Sequence, residues 1–239
     1  MAEAAGGDQG HEAGPAAVLF DLDGTLADTE AMWRDAYARL AADEGVRLDP
    51  GWWAEALGRD LGDAATALLG PWLAPPGGRD HLVARLIDHA LATLEGGPAP
   101  ADPEADAAVT WRPGAEELVA ELAGSAVPTA VVTASPRRLL DAVVHHLGIE
   151  VGVTVAGDEV ARAKPDPEGY RRAARLLGVD VRAAVVVEDS PTGVAAAEAS
   201  GARVLVVPHG AEVADKPTRT VVSSLSEVSV ATLATLPSP

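Results

Sequence analysis

The sequence predicts an α/β protein: a doubly wound parallel sheet whose first strand is followed by an inserted all-helical unit. Three observations carry this. Short continuous apolar runs (Ala16 to Phe20, Thr129 to Thr133, Ala183 to Val187, Val204 to Val207) have the composition of strands buried on both faces. From Pro113 onward such runs alternate with helical stretches of about ten residues, the rhythm of right-handed crossovers between parallel strands. Before Pro113 that rhythm is missing, and residues 29 to 95 read as helices alone. The expected organisation is a disordered tail at 1–14, a Rossmann-like core at 15–28 and 107–239, and a helical cap at 29–106.

Each element has a local reason. The tail is small and polar, so ordering it would cost more entropy than its contacts return. Trp33, Ala36, Tyr37 and Leu40 share one helical face, and Gly45 stops that helix. Asp49-Pro50 reads as an N-cap with proline at the first position of a helix through Trp52, Trp53 and Leu57. Leu61 to Leu69 and Leu82 to Leu94 complete the helical set, and Gly96 to Asp106 is a linker. In the core, helices are expected over 113 to 123, from Ser135-Pro136 to Gly148, from Asp166-Pro167 to Gly178, and from Pro191 to Ser200, with a weak strand at Gly152 to Val155. Six aromatics fall between positions 33 and 111, where a small helical unit needs large side chains for its core. Among them Trp33 is the best candidate to line a substrate cleft.

Composition narrows the function. With 36 acidic and 18 basic residues in 239, the formal charge is −18, which disfavours nucleic acid and anionic membranes as partners. No apolar run is long enough to span a bilayer. The N-terminus lacks the features of a secretory signal, and a soluble cytoplasmic protein is expected. There is no cysteine, so thiolate chemistry is excluded. Lys164 and Lys216 are the only lysines, which draws attention to any lysine inside a motif.

In open α/β sheets ligands bind beyond the carboxyl ends of the strands, and four such ends carry unusual polar residues. The first strand runs into Asp21-Leu22-Asp23-Gly24-Thr25, where Gly24 permits the bend that alternate carboxylates need to face one site. The Val131-Val132 strand ends at Thr133, followed by Ala134 and by Ser135, read as a helix N-cap. Lys164 sits in a proline-flanked loop, Ala163-Lys164-Pro165-Asp166-Pro167, and Val185-Val186-Val187 leads into Glu188-Asp189. Together these place four carboxylates, one ammonium and one hydroxyl at one sheet edge. Such acids require a cation, and oxygen-only ligands point to Mg²⁺. A lysine and a hydroxyl beside it suit an incoming phosphate, and the set describes phosphoryl transfer.

These residues, in this order, resemble the four motifs of the haloacid dehalogenase superfamily, in its phosphatase and β-phosphoglucomutase-like branch with a helical cap. The resemblance spans about residues 16 to 208. It implies that Asp21 is the nucleophile, forming an aspartyl-phosphate, and that Asp23 is the general acid and base. It implies that Thr133 and Lys164 hold the phosphoryl group, aided by the Leu22 and Gly24 amides and by Ala134. It implies that the Asp21 carboxylate, the Asp23 carbonyl and Asp189 bind Mg²⁺, with Glu188 a direct or indirect ligand. Arg59, in the cap, is a candidate substrate contact. Asp23 argues against dehalogenation, because true dehalogenases lack the second aspartate. β-Phosphoglucomutases usually carry a histidine where this chain has Trp33, and the basic pair that grips a second phosphate in them has no clear counterpart here, with only Arg59, Arg79 and Arg85 as candidates. The expected activity is therefore hydrolysis of a small, sugar-phosphate-like monoester. Mutase chemistry is one alternative, and a non-catalytic phosphate-sensing or partner-binding protein on the same fold is another. Oligomeric state is not legible.

Overall fold

A computed structural model describes residues 14–49, 51–56, 61–69, 78–97, 108–210 and 212–237. Almost all of the expected tail, Pro50, Leu57 to Asp60, Trp72 and most of the Gly96 to Asp106 linker lie outside the described residues.

Six strands form one parallel sheet. They are β1 (Val18–Phe20), β4 (Thr129–Val132), β5 (Val153–Val155), β6 (Val185–Glu188), β7 (Arg203–Val206) and β8 (Arg219–Val221), in the spatial order β5-β4-β1-β6-β7-β8. The chain winds outward from β1 through β4 to β5, then crosses back to β6 on the other side. The winding direction thus reverses at β1, where an open α/β sheet binds its ligand. Phe20 pairs with Val131 on one side and Val187 on the other, so the three central strands end together.

Alternation along each strand supplies two cores. Val18, Phe20, Val131, Val185 and Val187 face one side with buried residues of α5 (Ala115–Ala123), α6 (Arg137–Leu147) and α9 (Val230–Ala234). Leu19, Ala130, Val132 and Val186 face the other, against α7 (Glu168–Leu177) and α8 (Pro191–Ser200). Burying each large side chain contributes roughly 1.5 to 3 kcal/mol, which is why such short strands hold. The expected C-terminal glycine stops are real: Gly148, Gly178 and Gly201 take φ of 67°, 75° and 91°. The helix expected from 113 starts at Ala115, because Gly114 (φ 82°) occupies the cap position.

The inserted unit comprises α1 (Glu30–Asp43), α2 (Trp52–Ala56), α3 (Leu61–Leu69) and α4 (Gly78–Leu94). Its buried residues, among them Met32, Trp33, Leu40, Leu82 and Leu86, join the core on one face of the sheet. Entry and exit are tied by an antiparallel ribbon the sequence did not signal, β2 (Ala27–Asp28) with β3 (Thr110–Trp111). Two-residue strands leave no periodicity to read. Among the described residues no helix is long and apolar enough to cross a membrane.

Candidate active site

Beyond β1 the chain reverses at once. The Asp21 amide extends the ladder to the Val187 carbonyl (3.0 Å), then Leu26 and Ala27 both donate to the Leu22 carbonyl (3.0 and 2.9 Å). Gly24, at φ 87°, makes this turn possible. A Cβ there would also stand 2.4 Å from Asp189 Oδ2, so only glycine fits. One expectation needs correction: the Gly24 amide is not offered to a phosphate, because it donates to the Ala27 carbonyl at 2.8 Å. Gly24 contributes a bend and a close approach instead. Leu22 turns its side chain fully into the core.

The turn sends Asp21 and Asp23 to different partners. Asp21, 6% exposed, accepts from Lys164 Nζ at 2.5 Å. Lys164 reaches it from the β5–α7 loop, which is pinned where Glu168 accepts the Ala161 and Arg162 amides (2.9 and 3.2 Å). Lys164 also donates to Glu188 Oε1 (2.7 Å) and to the Val132 carbonyl (3.0 Å). Burial alone would lower its pKa, but Asp21 and Glu188 hold it well above the ordinary lysine value. It is a fixed cation.

Asp23 accepts three hydroxyls: Thr29 Oγ1 on Oδ1, and Thr133 Oγ1 and Ser135 Oγ on Oδ2, each at 2.9 Å. Thr133 therefore stands at the site, at the end of β4, with Ala134 exposed beside it. Ser135 does not cap the following helix as expected. The N-cap is Pro136 with no side-chain bond, and the Ser135 hydroxyl serves Asp23. A serine before a proline at a helix start is normally a cap, and nothing local marked it as a partner of Asp23.

Glu188, at the end of β6, is fully buried and saturated with donors. Oε1 accepts Lys164 and the Tyr170 hydroxyl (both 2.7 Å), and Oε2 accepts the Asp189 and Ser190 amides (3.0 and 3.2 Å). Burial pushes its pKa up, but Lys164 and the hydrogen bonds outweigh this and hold it below the ordinary value. Gly193 makes room, since a Cβ there would fall 1.7 Å from Glu188 Oε1. Tyr170 was not singled out from the sequence. Its ring lies 4.9 Å from Lys164 Nζ, and it shares a buried face of α7 with Ala173 and Ala174. Its spacing is that of a plain core residue.

Asp21, Glu188 and Asp189 are buried, with one carboxylate oxygen of each within 4.8 Å of the others. Burial first, opposed by Lys164 and reinforced by Glu188 and Asp23, lifts Asp21 to about 7. Burial, then repulsion from Asp21 and Glu188, lifts Asp189 to about 9. Three buried acids against one ammonium leave a deficit of two positive charges. A hard divalent cation such as Mg²⁺ would supply that charge, and the donors are all oxygen, so the residues fit one.

A cavity of about 620 Å³ opens from this cluster. Asp23 and Asp189 line its core end, and Trp33, Tyr37, Trp53 and Leu61 its cap end. Trp33 belongs to the buried core and also lines the cleft, for which it was the best candidate among the aromatics. Trp53 packs against the core cluster, as its place among the cap aromatics predicts, and also lines the cavity. Arg59 lies outside the described residues.

A family model for haloacid dehalogenase-like hydrolases matches residues 15–201. The chain belongs to this family. It is 37% identical over 187 residues to validoxylamine A 7'-phosphate phosphatase of Streptomyces hygroscopicus subsp. limoneus, covering 77% of this chain and 81% of that protein. It is 37% identical over 201 residues to phosphoglycolate phosphatase of Rhodospirillum rubrum, covering 82% and 80%. A CbbY variant of Rhodobacter sphaeroides, solved in complex with xylulose-(1,5)bisphosphate, superimposes with a TM-score of 0.74 at 28% identity, covering 92% of this chain and 99% of that one. Within the family, this haloacid dehalogenase-like hydrolase is a phosphatase.

Proposed function

We propose that this phosphatase hydrolyses phosphomonoesters of small, sugar-like metabolites with Mg²⁺, through an aspartyl-phosphate on Asp21, in the cytoplasm. The observation that carries the reading is the placement of Asp21: buried, held at 2.5 Å by Lys164, and flanked by two further acids. In this reading residues 29–106 act as the cap, with the β2–β3 ribbon as a hinge.

Asp21, Asp189 and the Asp23 carbonyl would hold Mg²⁺, with Glu188 acting indirectly, since its oxygens already accept five donors. The ion would neutralise the carboxylates and the bound phosphoryl oxygens. The Asp21 carboxylate attacks phosphorus and the ester P–O bond breaks. Asp23 gives its proton to the leaving alcohol oxygen. A water then loses a proton to Asp23 and attacks phosphorus, the acyl phosphate P–O bond breaks, and phosphate leaves with Asp21 restored. Lys164 orients Asp21 and neutralises phosphate throughout. The Thr29, Thr133 and Ser135 hydroxyls would keep Asp23 aimed, and Thr133 would turn to a phosphoryl oxygen when substrate binds.

Mutase chemistry would require a second anion site in the cleft. Trp33 lines the cleft, and among the described lining residues none is Lys or Arg. A purely binding role has no need for a complete Asp21, Asp23, Lys164 and Asp189 set. The test is phosphate release from a broad phosphomonoester panel. Activity is expected with Mg²⁺ and lost in EDTA, and silence across the panel would refute the reading.

A further inference from the structure

The cavity is far larger than the chemistry requires. About 620 Å³ is the room given to a ligand of many heavy atoms, not to a phosphate with a two-carbon stub. Its cap wall presents the rings of Trp33, Tyr37 and Trp53. Tyr37 and Trp53 are braced by edge contact with Trp52, with centroids 5.5 to 6.3 Å apart, so the wall is preorganised. Tyr37 and Trp53 are inclined at 57° to one another, and such a rigid aromatic corner packs against the apolar face and edge of a ring.

Between wall and catalytic end stands Glu30, the first residue of α1 and the one lining carboxylate that the hydrolytic mechanism does not use. Trp53 Nε1 donates to its Oε1 at 2.7 Å, locking the side chain into the cleft. His209, on the loop after β7, brings Nε2 to 3.4 Å from Glu30 Oε2, and this buried nitrogen has no hydrogen-bond partner. A carboxylate only accepts, so whatever meets Glu30 must donate.

We infer that the leaving group is a ring-based alcohol that presents hydrogen-bond donors, hydroxyl or protonated amine, to Glu30 and carries no second acidic group. Glu30, Trp53 and His209 are the residues that select it. A carboxylate or second phosphate on the leaving group would lie among Asp23, Glu30 and Asp189, with His209 the only basic side chain among the described lining residues. Like charges so placed reject the wrong ligand rather than merely failing to attract it.

This inference rests on the hydrolase reading, and the experiment separates the two. With the full chain and Mg²⁺, kcat/KM is measured for glucose 6-phosphate, glucosamine 6-phosphate, phosphoglycolate and glucose 1,6-bisphosphate. The two ring monoesters are expected to exceed the other two by about 10-fold or more, the value of one hydrogen bond to a charged group. Glu30→Gln is expected to collapse that ratio, chiefly through KM, and His209→Asn to reduce it. A glucosamine 6-phosphate preference that vanishes in Glu30→Gln identifies an amine as the donor, and equal loss for both ring esters identifies a hydroxyl. Either result supports the inference. Hydrolysis in which phosphoglycolate or the bisphosphate matches the ring monoesters, or a ratio unmoved by Glu30→Gln, overturns this inference alone. No hydrolysis of any ester overturns it together with the hydrolase reading.

Discussion

Removing divalent cations should make the protein progressively less stable as pH rises from about 5 to about 7, and Mg²⁺ should cancel that slope. The cause is the acid cluster. Without a cation the folded state holds a proton on Asp189 up to about pH 9 and on Asp21 up to about pH 7, against an ordinary value of 3.8. The unfolded chain releases both protons near that ordinary value. Between these limits the folded state binds more protons, so each rise in pH favours unfolding. The contribution is fully present below the unfolded pKa and is lost as pH climbs through the folded values. One proton costs ~1.4 kcal/mol per pH unit, so Asp189 alone removes about 3 kcal/mol over two units, and Asp21 brings the loss to roughly 3 to 5. That is a large part of a typical stability of about 5 to 15 kcal/mol. The assay is urea denaturation followed by fluorescence of the five tryptophans, in EDTA and in saturating Mg²⁺. Asp189→Asn is the control. Surface repulsion from a charge of −18 contributes nearly the same slope to both proteins, so their difference isolates the site. Metal-free stability that stays flat or rises over this range, or an identical slope in Asp189→Asn, would refute the reasoning.

Three further outcomes are expected. Asp21→Asn should abolish phosphate release by more than about 1000-fold while retaining the native far-ultraviolet dichroism, because it removes the attacking oxygen and little packing. Ser135→Ala should lower kcat by about 10-fold with KM nearly unchanged, the worth of about 1 to 1.5 kcal/mol for one hydroxyl bond to Asp23, read by steady-state kinetics. Gly24→Ala should lower the urea midpoint and weaken Mg²⁺ binding in calorimetry, since its Cβ would meet Asp189 Oδ2 at 2.4 Å and its φ of 87° disfavours any side chain.

The legible parts of this molecule were those whose cause is local. Ala183 to Val187 and Thr129 to Thr133 read as strands because parallel strands buried on both faces need continuous apolar runs. Gly148, Gly178 and Gly201 read as stops because a left-handed residue must end those helices. The illegible parts have little local signature. Strand β8 is Arg-Thr-Val, with one buried and one exposed end, and β2 and β3 are two residues each. Ser135 looked like a cap and Tyr170 like core, and each was given its role by a residue distant in sequence, Asp23 and Glu188.

By itself the sequence determined the chemistry available at the edge of the sheet: Asp21, Asp23, Thr133, Glu188 and Asp189, each at or just past the end of an apolar run that had to be a strand, and Lys164 in a proline-flanked loop before a helix. It could do so because a strand's carboxyl end is defined by a handful of adjacent residues. Only the tertiary structure decided what surrounds that chemistry. Winding order set β4 and β6 on either side of β1, and so closed the acids on one lysine. Chain reversal through the inserted helices brought Trp33 and Trp53 over the site, with Glu30 at their edge and His209 arriving from the far side of the sheet order. Residues so far apart in the chain meet only when the whole core is packed, and no local preference records that meeting.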